Sequence, residues 1–320
     1  MEMKKSTISR RKFLGTAAAA AAFTMVPLNY SYLGGTRRKK PNSKVGGVQL
    51  GLTTYSFMSM PHFNAEEVLG YILQVGVNSI EIRCVLEESL GCPYPLSLDF
   101  HNRIELSKEE REEQRKWRLS LPMQKYADFR KMYNDAGVNI HIAKFTPSAW
   151  ADEEIDYAFN AAKLLGAYGV ADSFSEKNWQ RLGKFAEKHK SMAIYHMKDE
   201  FGQPSFDVEK HLAYSPANRF NFDTAHYFGA TGLHPNNIIE KYHDRICSVH
   251  IKDSMGPKST GNKLVPFGQG GTPIADILLL LKKEKWPINA DLELEYPIPE
   301  GSDAVKEATK CIEYMRAILE

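Results

Sequence analysis

A single (β/α)8 barrel is predicted, and three observations predict it. From Val48 onward, eight short segments with strand periodicity alternate with helical ones, and no strand is left over. The last of them, Asn289 to Pro297, alternates strictly: Leu292, Leu294 and Tyr296 share one face, while Asp291, Glu293 and Glu295 share the other. No Gly-x-Gly-x-x-Gly follows the first strand, which weighs against an open doubly wound sheet. Taken alone, the last segment also suits an edge strand with a wet face. In a barrel its aliphatics pack on outer helices and its carboxylates point into the mouth, where crowding and desolvation call for a compensating cation.

The 320 residues suit one large domain, with 43% hydrophobic and 25% charged residues. A formal charge of +2 points to neither nucleic acid nor an anionic membrane as partner. Residues 1–40 are expected to lie outside the fold. Ser9-Arg10-Arg11-Lys12-Phe13-Leu14 resembles a twin-arginine export motif, and the alanine-rich run to about Val26 is too short for a comfortable membrane span. Removal of this segment leaves no membrane span and a periplasmic protein. Cys84, Cys92, Cys247 and Cys311 form no Cys-x-x-Cys pair, which weighs against a zinc finger or thioredoxin-like site. An oxidising compartment would permit a Cys84–Cys92 disulfide.

The elements follow in order. Residues 37–47 read as a linker, so the barrel is expected over 45–320. Val48 to Ser56 is the first strand, with Gly51, Thr53 and Tyr55 on its inner face. Asn64-Ala-Glu-Glu67 starts a helix in the manner of a capping box, and Gly76 closes it. In Ser79 to Arg83, Ile80 and Ile82 face out and Glu81 faces in. An insertion from Cys84 to Leu121 follows, whose Lys108 to Arg118 part reads as a solvated charged helix rather than a lid. A helix from about Met123 ends at Gly137. In Val138 to Lys144, Ile140 and Ile142 face out and His141 faces in, and the same parity turns Lys144 outward. Three further strands, Tyr168–Ser173, Met192–Met197 and Arg219–Asp223, follow helices at Asp152–Leu165, Glu176–His189 and Phe206–Ala213. A helix over Pro235–His243 leads to the seventh strand, Ile246–Lys252. Thr272-Pro273 opens the next helix, and Ser302–Leu319 is the last.

Function in such a barrel gathers at the C-terminal ends of the strands. Four consecutive strands carry ligand-type residues there: His196, Asp223, His250, and Glu293 or Glu295. Two imidazoles and two carboxylates suit a divalent metal such as Mn, Zn, Fe or Co, with Mg possible. Lys252 and Lys198 stand near strand ends, within reach of a substrate oxygen. Glu81 and His141 face inward and are candidates for binding substrate. The turn at Gly270 to Thr272 precedes a helix N-terminus, where either an anion or an ordinary cap fits.

Asn221-Phe-Asp223-Thr-Ala-His226 resembles the Asp-x-x-His strand end of the xylose isomerase-like barrels. These are the sugar-phosphate isomerase/epimerase family, which includes inosose dehydratases and tagatose-type 3-epimerases. Ser248-Val-His250-Ile-Lys-Asp253 resembles that family's seventh strand, Leu292-Glu293-Leu-Glu295-Tyr-Pro297 its last, and Pro266-Phe-Gly-Gln-Gly-Gly-Thr-Pro273 its turn into the seventh helix. The resemblance implies a metal held by His196, Asp223, His250 and Glu293, with His196 standing where epimerases have a glutamate. It implies a small carbohydrate substrate and proton abstraction next to a carbonyl. Glu295 or Lys252 would be the base, with His226 beside them. Isomerisation or epimerisation is expected. A 3-keto-glycoside lyase or hydrolase on the same site is the alternative, and a non-catalytic sugar-binding barrel is the reading from another class.

Overall fold

The computed structural model describes residues 40–94, 106–257 and 262–320. The export signal expected over residues 1–40 lies outside them, apart from Lys40. Eight parallel strands close on one another: β1 Val48–Thr53, β2 Ser79–Arg83, β3 Asn139–Lys144, β4 Gly169–Ser173, β5 Met192–Met197, β6 Asn218–Asp223, β7 Ile246–Ile251 and β8 Asn289–Leu292. Each strand pairs with its sequence neighbours. β8 pairs with β1, and β1 with β2, so no barrel edge is left open. This is the predicted (β/α)8 barrel. Lys44–Val45, expected in the linker, instead turns through Gly46 and Gly47 to pair antiparallel with the start of β1.

The outward residues of the strands are aliphatic or aromatic. Leu50, Ile80, Val170, Tyr195, Phe220, Val249 and Leu292 are all completely buried beneath the helices. Each such side chain contributes about 1.5–3 kcal/mol by leaving water. The expected helix starts and stops are present: Asn64 caps Ala65–Val75 by accepting from Glu67 N, and Gly76 ends it at φ +78°. Inside the barrel, Ile142, Ala171, Ile194 and Cys247 make a small apolar plug separate from the outer core.

Two irregularities re-aim inner side chains. Ile80 pairs with Ile140 but Glu81 with Ile142, so His141 is an extra residue in β3. Likewise Phe220 pairs with Ile246 but Asn221 with Ser248, so Cys247 is extra in β7. Such bulges reverse the face of every later residue in the strand. Ile142, predicted to face out, therefore joins the inner plug, and Lys144, predicted to be a surface lysine, is buried inside the barrel.

The charged helix of the insertion runs over Lys108–Ser120, opened by a capping box between Ser107 and Glu110. One of its faces is not solvated. Arg118 is buried, donates to Glu87 (3.1 Å) and Glu154 (2.9 Å), and lies 3.7 Å over the Trp150 ring. The four cysteines are free and buried, so the permitted Cys84–Cys92 bridge is not formed. Among the described residues, no helix is long and apolar enough to cross a membrane.

Candidate metal centre

Above the apolar plug, one further step along each inner strand face brings His196, Asp223, His250 and Glu293 together. β5 rises from Ile194 to His196, and β7 from Cys247 past Ser248 to His250. β8 ends at Leu292, short of the predicted Pro297, yet its alternation persists: Glu293 stays inside while Leu294 and Tyr296 stay in the outer core. The ligand atoms of the four all lie within 4.8 Å of one another, and all four residues are buried. Asp223, His226 and Glu295 form a second such group nearer the mouth.

The site's hydrogen bonds orient each of these groups. His250 turns Nε2 toward Glu81 Oε2 (3.2 Å), leaving Nδ1 beside Glu293 Oε2 (2.9 Å). Burial works against a charge on His250, but the carboxylates of Glu293 and Glu81 outweigh it and raise the group to about 10. His196 goes the other way. Burial, reinforced by the Lys144 ammonium, lowers it to about 3, so it is a neutral imidazole. Its Nδ1 is held by Lys144 Nζ at 2.8 Å, and its Nε2 faces Asp223 Oδ2 at 3.4 Å without a well-formed hydrogen bond. Burial lowers Lys144 while the Glu81 carboxylate works the other way, and His196 Nε2 is left without a hydrogen-bond partner. Asp223 Oδ1 accepts from His226 N, capping the helix Thr224–Thr231.

Lys252, fully enclosed, reaches into the same carboxylates. Its ammonium lies 2.7 Å from Asp223 Oδ2, 2.5 Å from Glu293 Oε2, and also contacts Glu295 Oε2. Burial opposes its charge, but these three neighbours raise it well above the ordinary lysine range. Burial and Glu293 push Glu295 up, yet Lys252 and His226 hold it down at about 2. His226 Nε2 lies 3.2 Å from Glu295 Oε2, at the open side of the cluster.

The four donors suit a divalent ion. Two imidazoles and two carboxylates converge from four adjacent strands, and His196 Nε2 is a buried donor atom with no partner of its own. His250 carries the carboxylate-supported geometry common among metal-bound histidines, with Glu81 as its support.

The other predicted site residues divide. Lys198 is half-buried just beyond β5, and its charge helps hold Glu295 down. Glu81 is completely buried beneath His250 and bonded to Asn221, below the mouth rather than in it. Burial pushes Glu81 up, and His250 and Lys144 outweigh it to hold the group at about 2. His141 is carried to the opposite end of the barrel. It donates from Nε2 to Asp291 Oδ2 (2.8 Å), accepts at Nδ1 from Ser79 Oγ (3.0 Å), and lines a cavity of about 520 Å³ at the strand N-termini. Asp291, third carboxylate of the last strand, belongs to that lower layer. Gly51 opposite it has no room for a Cβ, which would collide with Asp291 Oδ1. At the turn before Ile274–Glu284, where either an anion or an ordinary cap fitted the sequence, the protein supplies its own carboxylate: Asp253 accepts from the backbone of Gly268 (2.8 Å), Gly270 (2.9 Å) and Thr272 (3.2 Å).

Sequence reasoning missed Lys144 as a partner of His196, and Asn221, whose amide bridges Glu81 and His250. Lys144 was hidden by the bulge. Asn221 had a visible signal, since it precedes Asp223 by two residues and shares its face.

The model of the xylose isomerase-like TIM barrel family matches residues 172–318, a stretch short of half the chain that carries all four candidate ligands. None of the curated proteins matches the sequence. Solved structures share the fold. A sugar phosphate isomerase/epimerase from Parabacteroides distasonis aligns over 86% of this chain and 98% of its own, at 18% identity and a TM-score of 0.57. A xylose isomerase domain protein from Alicyclobacillus acidocaldarius covers 85% and 99%, at 13% identity and a TM-score of 0.60. A xylose isomerase-like TIM barrel protein from Mycobacterium smegmatis, solved in complex with magnesium, covers 85% and 96%, at 15% identity and a TM-score of 0.51.

Proposed function

We propose that this protein is a divalent-metal-dependent enzyme acting on a carbohydrate by moving a proton next to a carbonyl, in the manner of an isomerase or epimerase. The observation that carries it is the convergence of His196, Asp223, His250 and Glu293 at the barrel's C-terminal end, with a carboxylate and a lysine beside them. When bound there, a divalent ion supplies Lewis acidity toward a sugar carbonyl. The chain's own residues do the rest. Glu295 sits on the open side of the cluster, where it is placed to accept the proton. His226, 3.2 Å from Glu295, orients that carboxylate. Lys252 donates N–H bonds to oxygens that gain negative charge as the proton leaves. Glu81, beneath the site, fixes the ring of His250.

A lyase or hydrolase of 3-keto-glycosides is the second reading. It uses the same proton abstraction and then expels a neighbouring group. His196 favours it, because by the resemblance it stands where an epimerase has one glutamate of its two-carboxylate pair. We further propose export to the periplasm by the twin-arginine route, on the paired Arg10 and Arg11 and the apolar run after them. The test of function is an assay of Mn-, Zn- and Co-loaded protein against free sugars and 3-keto-glycosides in deuterated water. Sugar interconversion with deuterium uptake and no leaving group supports the isomerase, and release of the aglycone moves the assignment to the lyase. Binding without turnover of any sugar leaves a non-catalytic barrel and contradicts the proposal.

A further inference from the structure

We propose that Lys252 is a built-in counter-ion which a divalent cation must displace, so that metal binding is an exchange of one ammonium for one ion and releases Lys252 toward the substrate. This rests on the metal-site reading above and adds what an ion must displace on entering the site. The ammonium of Lys252 has three N–H bonds. It makes ion-pair contacts with Asp223 Oδ2 at 2.7 Å and Glu293 Oε2 at 2.5 Å, and donates a hydrogen bond to Glu295 Oε2. The first two oxygens are also the ones the candidate ligands converge on. His196 Nε2 lies 3.4 Å from Asp223 Oδ2 and 4.0 Å from Glu293 Oε2, and His250 Nδ1 lies 2.9 Å from Glu293 Oε2. An ion held by these atoms would share two oxygens with a second cation enclosed in the same low-dielectric space, where like charges repel strongly.

The lysine has somewhere to go. Glu295 is the outermost of its three partners, 17% exposed against 0% for Asp223 and 2% for Glu293. A flexible four-carbon stem lets the ammonium retreat toward Glu295 and the mouth while Asp223 and Glu293 turn to the ion. The retreat places an N–H donor on the substrate side only when the ion is present. The charge of Lys252 compensates the enclosed carboxylates of Asp223 and Glu293, since an uncompensated buried charge is strongly destabilising.

The experiment is a calorimetric titration of the ion-free full chain with Mn²⁺ at one pH, for wild type, Lys252→Met and Lys252→Arg, with thermal unfolding of each. Removing the ammonium should tighten Mn²⁺ binding about tenfold or more, while Lys252→Arg, which keeps the charge, stays within about threefold of wild type. Ion-free Lys252→Met should melt lower than wild type and gain more from Mn²⁺. If that variant is recovered only when Mn²⁺ is present during purification, the ion has taken the lysine's place as predicted. Unchanged or weaker Mn²⁺ binding by Lys252→Met, with wild type binding normally, overturns the exchange and leaves the metal site standing. Equal tightening by Lys252→Arg also overturns it, because charge would then not be what competes. No Mn²⁺ binding by any of the three removes the metal site itself, and the exchange with it.

Discussion

Glu293 and Glu295 leave the same strand face two residues apart, about 6.6 Å along an extended chain. Their surroundings separate them. Glu293 is enclosed against His250, whereas Glu295 faces His226 on the open side. Glu293→Gln should therefore weaken metal binding by removing a charged ligand. Glu295→Gln should keep the ion and lower turnover by about 10²-fold or more, because an amide accepts a hydrogen bond but takes no proton. Metal titration and kcat on the two variants check this. The sequence left the ligand open between these two glutamates, since alternation gives the face but not the depth. The contacts to His250 and to His226 supply the depth. The charges also set a pH dependence in the ion-free protein. His250 is raised from its ordinary 6.5 to about 10, so its contribution to stability is complete below 6.5 and is lost as pH rises through 10. Glu81 is depressed from 4.5 to about 2, so its contribution is present above 4.5 and is lost as pH falls through 2. Melting temperature against pH should fall on both sides, and His250→Asn should flatten the alkaline limb.

The bulge at His141 shows where pattern reading stops at the level of an element. A period of two locates β3 and its inward histidine, but one extra residue reverses the face afterwards and hides Lys144 inside the barrel. No residue type in Asn139–Lys144 announces that bulge. The Lys108–Ser120 helix teaches a related point. Its charge density reads as solvated, yet Arg118 is buried because Glu87 and Glu154, distant in sequence, wait beneath it. Removing that arginine leaves two enclosed carboxylates without their cation. Arg118→Met should cost about 3–5 kcal/mol, measured by denaturant unfolding. The turn into Ile274–Glu284 was legible as a helix start, but its anion was not, because Asp253 lies on another stretch of chain. Gly270 is required there by contact: a Cβ would collide with Asp253 Oδ1.

At the scale of the molecule, closure was legible because eight strand segments alternate with helices, and the site because ligand types recur at four consecutive strand ends. The matched family region, residues 172–318, contains those four strands. Where the polar layers divide was not legible. Asp291 and His141 serve the lower end of the barrel while Glu293 and His250 serve the upper, and alternation treats them alike. The proposed address is testable apart from the fold. Arg10→Lys with Arg11→Lys should leave the protein in the cytoplasm, and unchanged periplasmic protein on fractionation would rule out the twin-arginine route. The central claim is that the barrel mouth is a metal centre, and elemental analysis of purified wild type beside Asp223→Ala tests it most directly. About one divalent ion per wild-type chain is expected, lost in the variant while the circular dichroism of the fold is retained. Wild-type protein with no metal above background, and no rise in melting temperature on adding Mn, Zn or Co, would contradict it.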